Sequence, residues 1–184
     1  MPVVGAYGVV EAVYEFLTAT GVGYTDLAGE LNAYRIAQSI ETTVLPDPQT
    51  IERPLYRGSQ APAAGVYVAV EWEGSAREAG NNSRKIQHRI VVGLVVPDAA
   101  IAGDEAAVMT AALRYEAVLR SMFLRNTPAG ASGFTLNNGG TGAALGRIIR
   151  CEVDRTDVLY DSELSGPNAL LVMRLFVDVR EDYP

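Results

Sequence analysis

The amino-acid sequence predicts an α+β fold in which a mainly antiparallel β-sheet, made of two hairpins, is covered by one long helix. Apolar residues recur at every second position in four segments, which form two pairs along the chain. A helical apolar pattern lies between the pairs and can supply a second layer. Strands that follow one another without an intervening helix favour antiparallel pairing. These observations give a two-layer fold with additional N-terminal helices.

The length of 184 residues indicates a single domain over 1–184. We divide it into N-terminal helices at 1–43, a proline-rich arm at 44–65, and the sheet with its covering helix at 66–184.

The first part of the chain predicts two helices. Val9, Val13 and Phe16 recur at helical spacing and predict a helix over residues 2–20. A weaker pattern predicts a second, short helix over residues 26–42.

The arm is predicted to be irregular because it contains four prolines, which cannot donate a backbone hydrogen bond to a strand ladder. Within it, Arg53, Tyr56 and Arg57 combine basic and aromatic side chains. We interpret these three residues as candidates for an interface.

The first hairpin is predicted from alternation over residues 66–73 and 84–96. The segment 74–83 between them is rich in Gly, Asn and Ser and predicts a mobile hairpin tip.

The covering helix is predicted over residues 104–125. Asp104 suits the N-cap position, and Glu116 with Arg120 forms an i,i+4 pair. The glycine-rich segment 127–146 follows and predicts a long loop. It is not interpreted as a phosphate cradle, because a strand rather than a helix comes after it.

The second hairpin is predicted from alternation over Arg147–Asp157 and Ala169–Arg180, with a polar loop over 160–168.

The composition excludes several classes of chemistry. The net charge is −7 and no run of basic residues occurs, which argues against sequence-specific nucleic-acid binding. With one histidine, His88, and one cysteine, Cys151, the chain cannot build a multi-His or Cys/His zinc site. Both are interpreted as buried strand residues. We expect no catalytic residue, no cofactor and no metal, and so no enzyme.

An acidic cluster comprises Glu152, Asp154, Asp157, Asp161 and Glu163. Hard cations favour such oxygens, but the spacing does not match an EF-hand loop. We interpret the cluster as a solvated strand face or a subunit interface.

The predicted sheet is apolar on both faces. Val91, Val95, Leu170, Val172 and Phe176 alternate with the residues of the predicted core face. Either the N-terminal helices or another subunit would have to cover them.

Neither a secretory signal nor a membrane-spanning segment is expected, so the chain should be soluble and made in a cytoplasm.

The order of these elements resembles that of the tail terminator (tail-completion) proteins of long-tailed bacteriophages, and more loosely that of related neck proteins. The resemblance is carried by five segments, which are Val66–Trp72, Arg84–Val96, Asp104–Arg125, Arg147–Asp157 and Ala169–Arg180.

The resemblance implies a structural virion protein, assembled in the host cytoplasm and located in the tail or neck. Such proteins form a hexameric ring at the head-proximal end of the tail tube, stop its polymerisation and provide the surface for head joining. The implied partners are further copies of the chain, the tail tube protein, the sheath if the tail has one, and a head-completion or neck protein. DNA would pass through an acidic lumen without specific binding.

Two alternatives remain open from the sequence. One is a head–tail connector or neck-completion protein, and the other is a small ligand-binding or enzymatic α+β domain.

Overall fold

The computed structural model describes residues 6–18, 24–40, 44–48, 50–52, 65–77, 85–101, 104–125, 147–161 and 168–180. The elements in chain order are α1 (Ala6–Thr18), α2 (Tyr24–Ala37), β1 (Thr50–Glu52), β2 (Tyr67–Arg77), β3 (Lys85–Pro97), α3 (Asp98–Ile101), α4 (Glu105–Arg125), β4 (Arg147–Asp161) and β5 (Asn168–Arg180).

The five described strands form one sheet in the order β1-β2-β3-β5-β4. All neighbours pair antiparallel except β1 and β2, which are parallel. The two hairpins β2–β3 and β4–β5 are therefore joined through β3 and β5, which pair along their whole length. The predicted α+β fold, with a mainly antiparallel sheet and a long covering helix, is confirmed.

The core lies on one face of this sheet. Buried residues of α1 and α4 form one cluster with alternate residues of the strands, among them Ile90, Val92 and Leu94. Helix α1 covers the β1–β2 side of this face, and α4 covers the β4–β5 side. The two helices touch each other through the rings of Phe16 and Phe123, whose centroids are 5.6 Å apart. The N-terminal helices therefore share the core face with α4, and the described helices do not cover the second face.

Helix α4 begins as the sequence predicts. Asp104 Oδ1 accepts a hydrogen bond of 3.0 Å from the backbone N–H of Ala107, which satisfies one of the unpaired amides of the first turn. The predicted pair of Glu116 and Arg120 is present at 2.6 Å, and Arg120 also donates to Thr156 of β4. The pair therefore joins the helix to the sheet.

Helix α2 is held by a buried polar cluster. Asn32 Oδ1 accepts hydrogen bonds from Arg114 of α4 at 3.0 Å and from the backbone N–H of Leu45 at 3.1 Å. Its Nδ2 donates to the Leu45 carbonyl at 3.2 Å, and the Tyr115 hydroxyl donates to the carbonyl of Pro46. Burial raises the pKa of Tyr115 far above its usual range, so this hydroxyl keeps its proton. The start of the arm is thus fixed to the helical layer.

Three predicted boundaries are wrong. The arm is not irregular throughout, because Thr50–Glu52 forms β1 by parallel pairing at the edge of the sheet. Strand β2 does not end near residue 73, since a bulge between Trp72 and Gly74 lets pairing continue to Arg77. Strand β4 continues to Asp161, into the predicted polar loop, because β5 supplies partners up to Asn168.

Other predicted features lie outside the described residues. These are most of the hairpin tip, the glycine-rich segment 127–146 and the remainder of the second loop.

A test of the core compares two leucines with opposite environments. Leu94 on β3 is fully buried, whereas Leu113 on α4 is 56% exposed. We expect Leu94→Ala to lower the free energy of unfolding by about 2–5 kcal/mol, because it removes buried contacts and leaves a cavity. Leu113→Ala should change it by no more than about 0.5 kcal/mol. Urea unfolding followed by circular dichroism measures both, and equal losses would contradict the assignment of the core.

Candidate interaction surface

The face of the sheet opposite the helices carries apolar side chains that the described helices do not cover. We call it the open face, and it comprises Arg89, Val91 and Val95 of β3, Glu152, Asp157 and Leu159 of β4, and Leu170, Val172, Arg174 and Phe176 of β5. Tyr67 and Ala69 of β2 are buried on the same side, so the open part lies mainly over β3, β5 and β4. Leu159 is 55% exposed.

Strand register explains the composition of this face. Val95, Leu170 and Leu159 lie opposite one another in one row across three strands. Arg89, Phe176 and Glu152 form a second row. The open face is therefore apolar near the carboxyl end of β3 and charged near its amino end.

A bulge in β4 brings Glu152 and Asp157 to the same face. The two residues differ by five in residue number, and strict alternation would place them on opposite faces of the sheet. The register shifts between Val153 and Arg155, so Glu152 pairs with Phe176 while Asp157 pairs with Val172. Because Phe176 and Val172 share one face of β5, both acids belong to the open face.

Ion pairs cross this face from β4 to β2. Asp157 accepts from Arg174 at 2.9 Å and from Arg155 at 2.8 Å. Arg174 also approaches Glu73 of β2 at 3.7 Å. The described charges of this network therefore alternate in sign and neutralise one another within the chain. Exposed pairs of this kind add little stability, so the network matters more for the character of the surface than for folding.

Two further contacts involve polar side chains near the amino end of β3. Gln87 donates to Asp178 at 3.0 Å, and Asp178 is only 2% exposed. The guanidinium of Arg89 lies 5.8 Å from the ring centroid of Phe176, within the range of a cation–π interaction.

The structure places only some of the predicted interface residues. Glu152 and Asp157 lie on the open face, and Asp154 is exposed at the bulge. Asp161 pairs with Asn168 at the end of β4, and its side chain is not described. The interface candidates Arg53, Tyr56 and Arg57 lie outside the described residues.

Sequence reasoning missed Glu73 and Arg174, which connect the acids of β4 to the rest of the sheet. Glu73 follows the predicted alternation of its strand, and Arg174 stands alone among apolar neighbours. An arginine inside an apolar strand is a signal that could have marked the network.

His88 and Cys151 are buried on the core face, as predicted. Burial, with the nearby carboxylates of Glu152 and Asp178, raises the pKa of the Cys151 thiol to about 12. A nucleophilic cysteine needs the opposite environment, so this thiol is unreactive in the folded chain.

Among the residues that the structure describes, no group of three or more His, Cys, Asp or Glu side chains is placed to hold a metal ion. Within the same residues, no helix has the length and apolar character required to cross a membrane.

None of the known protein-family models matches the sequence, and no curated protein matches it. A similar solved structure is a chain described as "Virion of native gene transfer agent (GTA) particle". The two chains are 17% identical and superpose with a TM-score of 0.54 over 96% of this chain and 97% of that one. This similarity shows a shared fold over nearly the full length of both chains.

The burial of Cys151 predicts a pH-dependent contribution to stability. The folded state holds the thiol proton more tightly than the unfolded chain does. This contribution is therefore complete below the ordinary thiol pKa and is lost as the pH rises towards 12. Between about pH 8 and about pH 10.5, the free energy of unfolding should fall more for the native chain than for Cys151→Ala.

Urea unfolding of both proteins at the two pH values measures the difference. Tyr115 and the other titrating groups are common to both proteins and cancel in the comparison. The same fall in both would show that the thiol is not desolvated.

Proposed function

We propose that this chain is a structural protein of a phage-like particle, and more specifically a tail terminator. In this proposal it forms a ring, of six copies as the resemblance implies, at the head-proximal end of the tail tube. The ring stops tube polymerisation and provides the surface for head joining. The chain has no enzymatic activity and needs no cofactor.

The observation that carries the proposal is the shared fold with a chain from a gene transfer agent virion, over nearly the whole of both chains. The similarity extends over 96% of this chain and 97% of that one, so it is not confined to one part of the fold. It supports the same class of role that the element order suggests from the sequence.

The open face supports an assembly role independently. In the apolar row of this face, Leu159 is exposed and Val95 and Leu170 are only partly buried. Such faces on soluble chains are typical of protein–protein contacts. The ion pairs around Arg174 would fix the orientation of a partner through their pattern of charge.

The chemistry of the chain agrees with a passive role toward DNA. A net charge of −7 repels phosphates, so a lumen lined by such chains would let DNA pass without binding it. The buried, raised-pKa thiol of Cys151 offers no nucleophile.

The arm and the acidic residues of β4 are the proposed contacts between neighbouring copies. Arg53, Tyr56 and Arg57 would meet an acidic surface of the next copy, for which Glu152, Asp154, Asp157 and Asp161 are the candidates. Opposite charges steer association and set its register.

The proposal is tested by assembling particles without this chain. Without a terminator, tails should reach abnormal lengths and heads should remain unjoined, because nothing stops tube growth or offers the joining surface. Electron microscopy of the lysate measures tail lengths and the fraction of joined particles, and expression of the chain from a plasmid should restore both.

Two results would count against the terminator role. Tails of normal length together with joined particles would exclude a role in the tail or neck. Tails of normal length with unjoined heads would instead favour a head–tail connector. A native mass of isolated necks that gives a number other than six would correct the stoichiometry alone.

A further inference from the structure

The charge of the chain restricts where two copies can meet. At a net charge of −7, copies repel each other at most orientations. Contact is least unfavourable between surfaces that are opposite in charge or carry no net charge. Among the described residues, two surfaces of the second kind lie on opposite sides of the molecule.

The first is the open face, whose central charged residues form ion pairs within the chain. Arg174 is shared between Glu73 and Asp157, and Arg155 pairs with Asp157. Groups that already have partners lose less on desolvation than isolated charges do. The remaining exposed area of this face includes Leu159, Val172 and Phe176.

The size of the open face fits an interface. Three strands of about 13 residues, spaced about 4.8 Å apart with a rise of about 3.3 Å per residue, present roughly 600 Å². Each partner in a specific complex contributes about 600–1,000 Å². The open face is therefore as large as one side of a small specific interface, and the outer side of one helix would occupy part of it.

The second surface is the outer side of α4. Successive residues are about 100° apart around a helix, so the outer side lies opposite the buried residues Val108, Ala112, Tyr115 and Leu119. Its exposed positions from 106 to 117 carry no charge, and they are Ala106, Thr110, Leu113 and Ala117. Exposed helix faces in soluble proteins are usually charged or polar, and Leu113 is 56% exposed.

We propose that the open face of one copy packs on the outer side of α4 of the next copy. The occupant of the open face is then a second copy of this chain, with Leu113 set against the apolar row of Val95, Leu170 and Leu159. Glu152 and Asp157 lie outside that row, so this packing is compatible with the charged contact proposed above. The packing of the open face on α4 rests on the proposed function, because it is the contact between neighbouring copies of the proposed ring.

This contact is head-to-tail, because the two surfaces differ and each copy carries one of each. A head-to-tail contact repeated about a closed rotation gives a ring, whereas a contact of one surface with itself stops at two copies. The neutral character of both surfaces explains how a strongly acidic chain could associate with itself.

The test uses one substitution in each surface. Leu159→Arg places an unpaired charge on the open face, and Leu113→Arg places one on the outer side of α4. Both side chains are exposed in the single chain, so both variants should fold with native circular dichroism. Thr18→Arg, an exposed position at the end of α1 outside both surfaces, is the matched control for added charge.

Sedimentation and native mass spectrometry at high protein concentration measure association. The native chain and Thr18→Arg should form closed oligomers. Each of the other two variants alone should be monomeric, with association weakened at least about tenfold. An equimolar mixture of Leu159→Arg and Leu113→Arg retains one intact contact, so it should give a species of two chains and nothing larger.

Several outcomes would overturn the inference. These are a native chain that stays monomeric at high concentration, a Leu113→Arg variant that associates like the native chain, and a mixture that forms no species of two chains. None of these results depends on particle assembly. If deletion of the chain still gives tails of abnormal length, the terminator role stands and only this contact is wrong.

Discussion

The uninterrupted pairing of β3 with β5 is the constraint on which the rest of the structure depends. Thirteen consecutive residue pairs, from Lys85 with Arg180 to Pro97 with Asn168, join the two hairpins without a register shift. This pairing aligns the alternating side chains of both strands, so that one set forms the core and the other set forms the open face. A slip of one residue would exchange the two sets and expose the core.

The placement of α1 and α4 on one face of the sheet follows from the same alignment. Ile90, Val92 and Leu94 are opposite Leu175, Met173 and Leu171, and these pairs form a continuous apolar floor. Helices α1 and α4 share that floor and meet through Phe16 and Phe123. Both helices therefore lie on the core side, and neither of them covers the open face.

The sequence predicted the parts of the fold that depend on local periodicity. Both hairpins, helix α1 and the capped helix α4 follow from apolar spacing and from Asp104. The order of the strands, the three-residue β1 and the bulges of β2 and β4 could not be predicted, because they depend on pairing between distant segments. The acidic residues of β4 were visible as a composition signal. Their link to Arg174 and Glu73 was not, because it requires knowing that β5 lies between β4 and β3.

The two bulges of β4 also make this strand a poor partner for the strands of other chains. Among the described strands, this strand of 15 residues pairs only with β5, so its other edge is a potential template for a foreign strand. The register shifts near Ile148 and Val153 break the regular spacing of its backbone donors and acceptors, and exposed Asp154 and Arg155 stand at the second shift. Sheet extension along this edge would be irregular and would bring charged side chains together. The free edge of β4 is thereby protected from the regular addition of strands that builds amyloid-like aggregates.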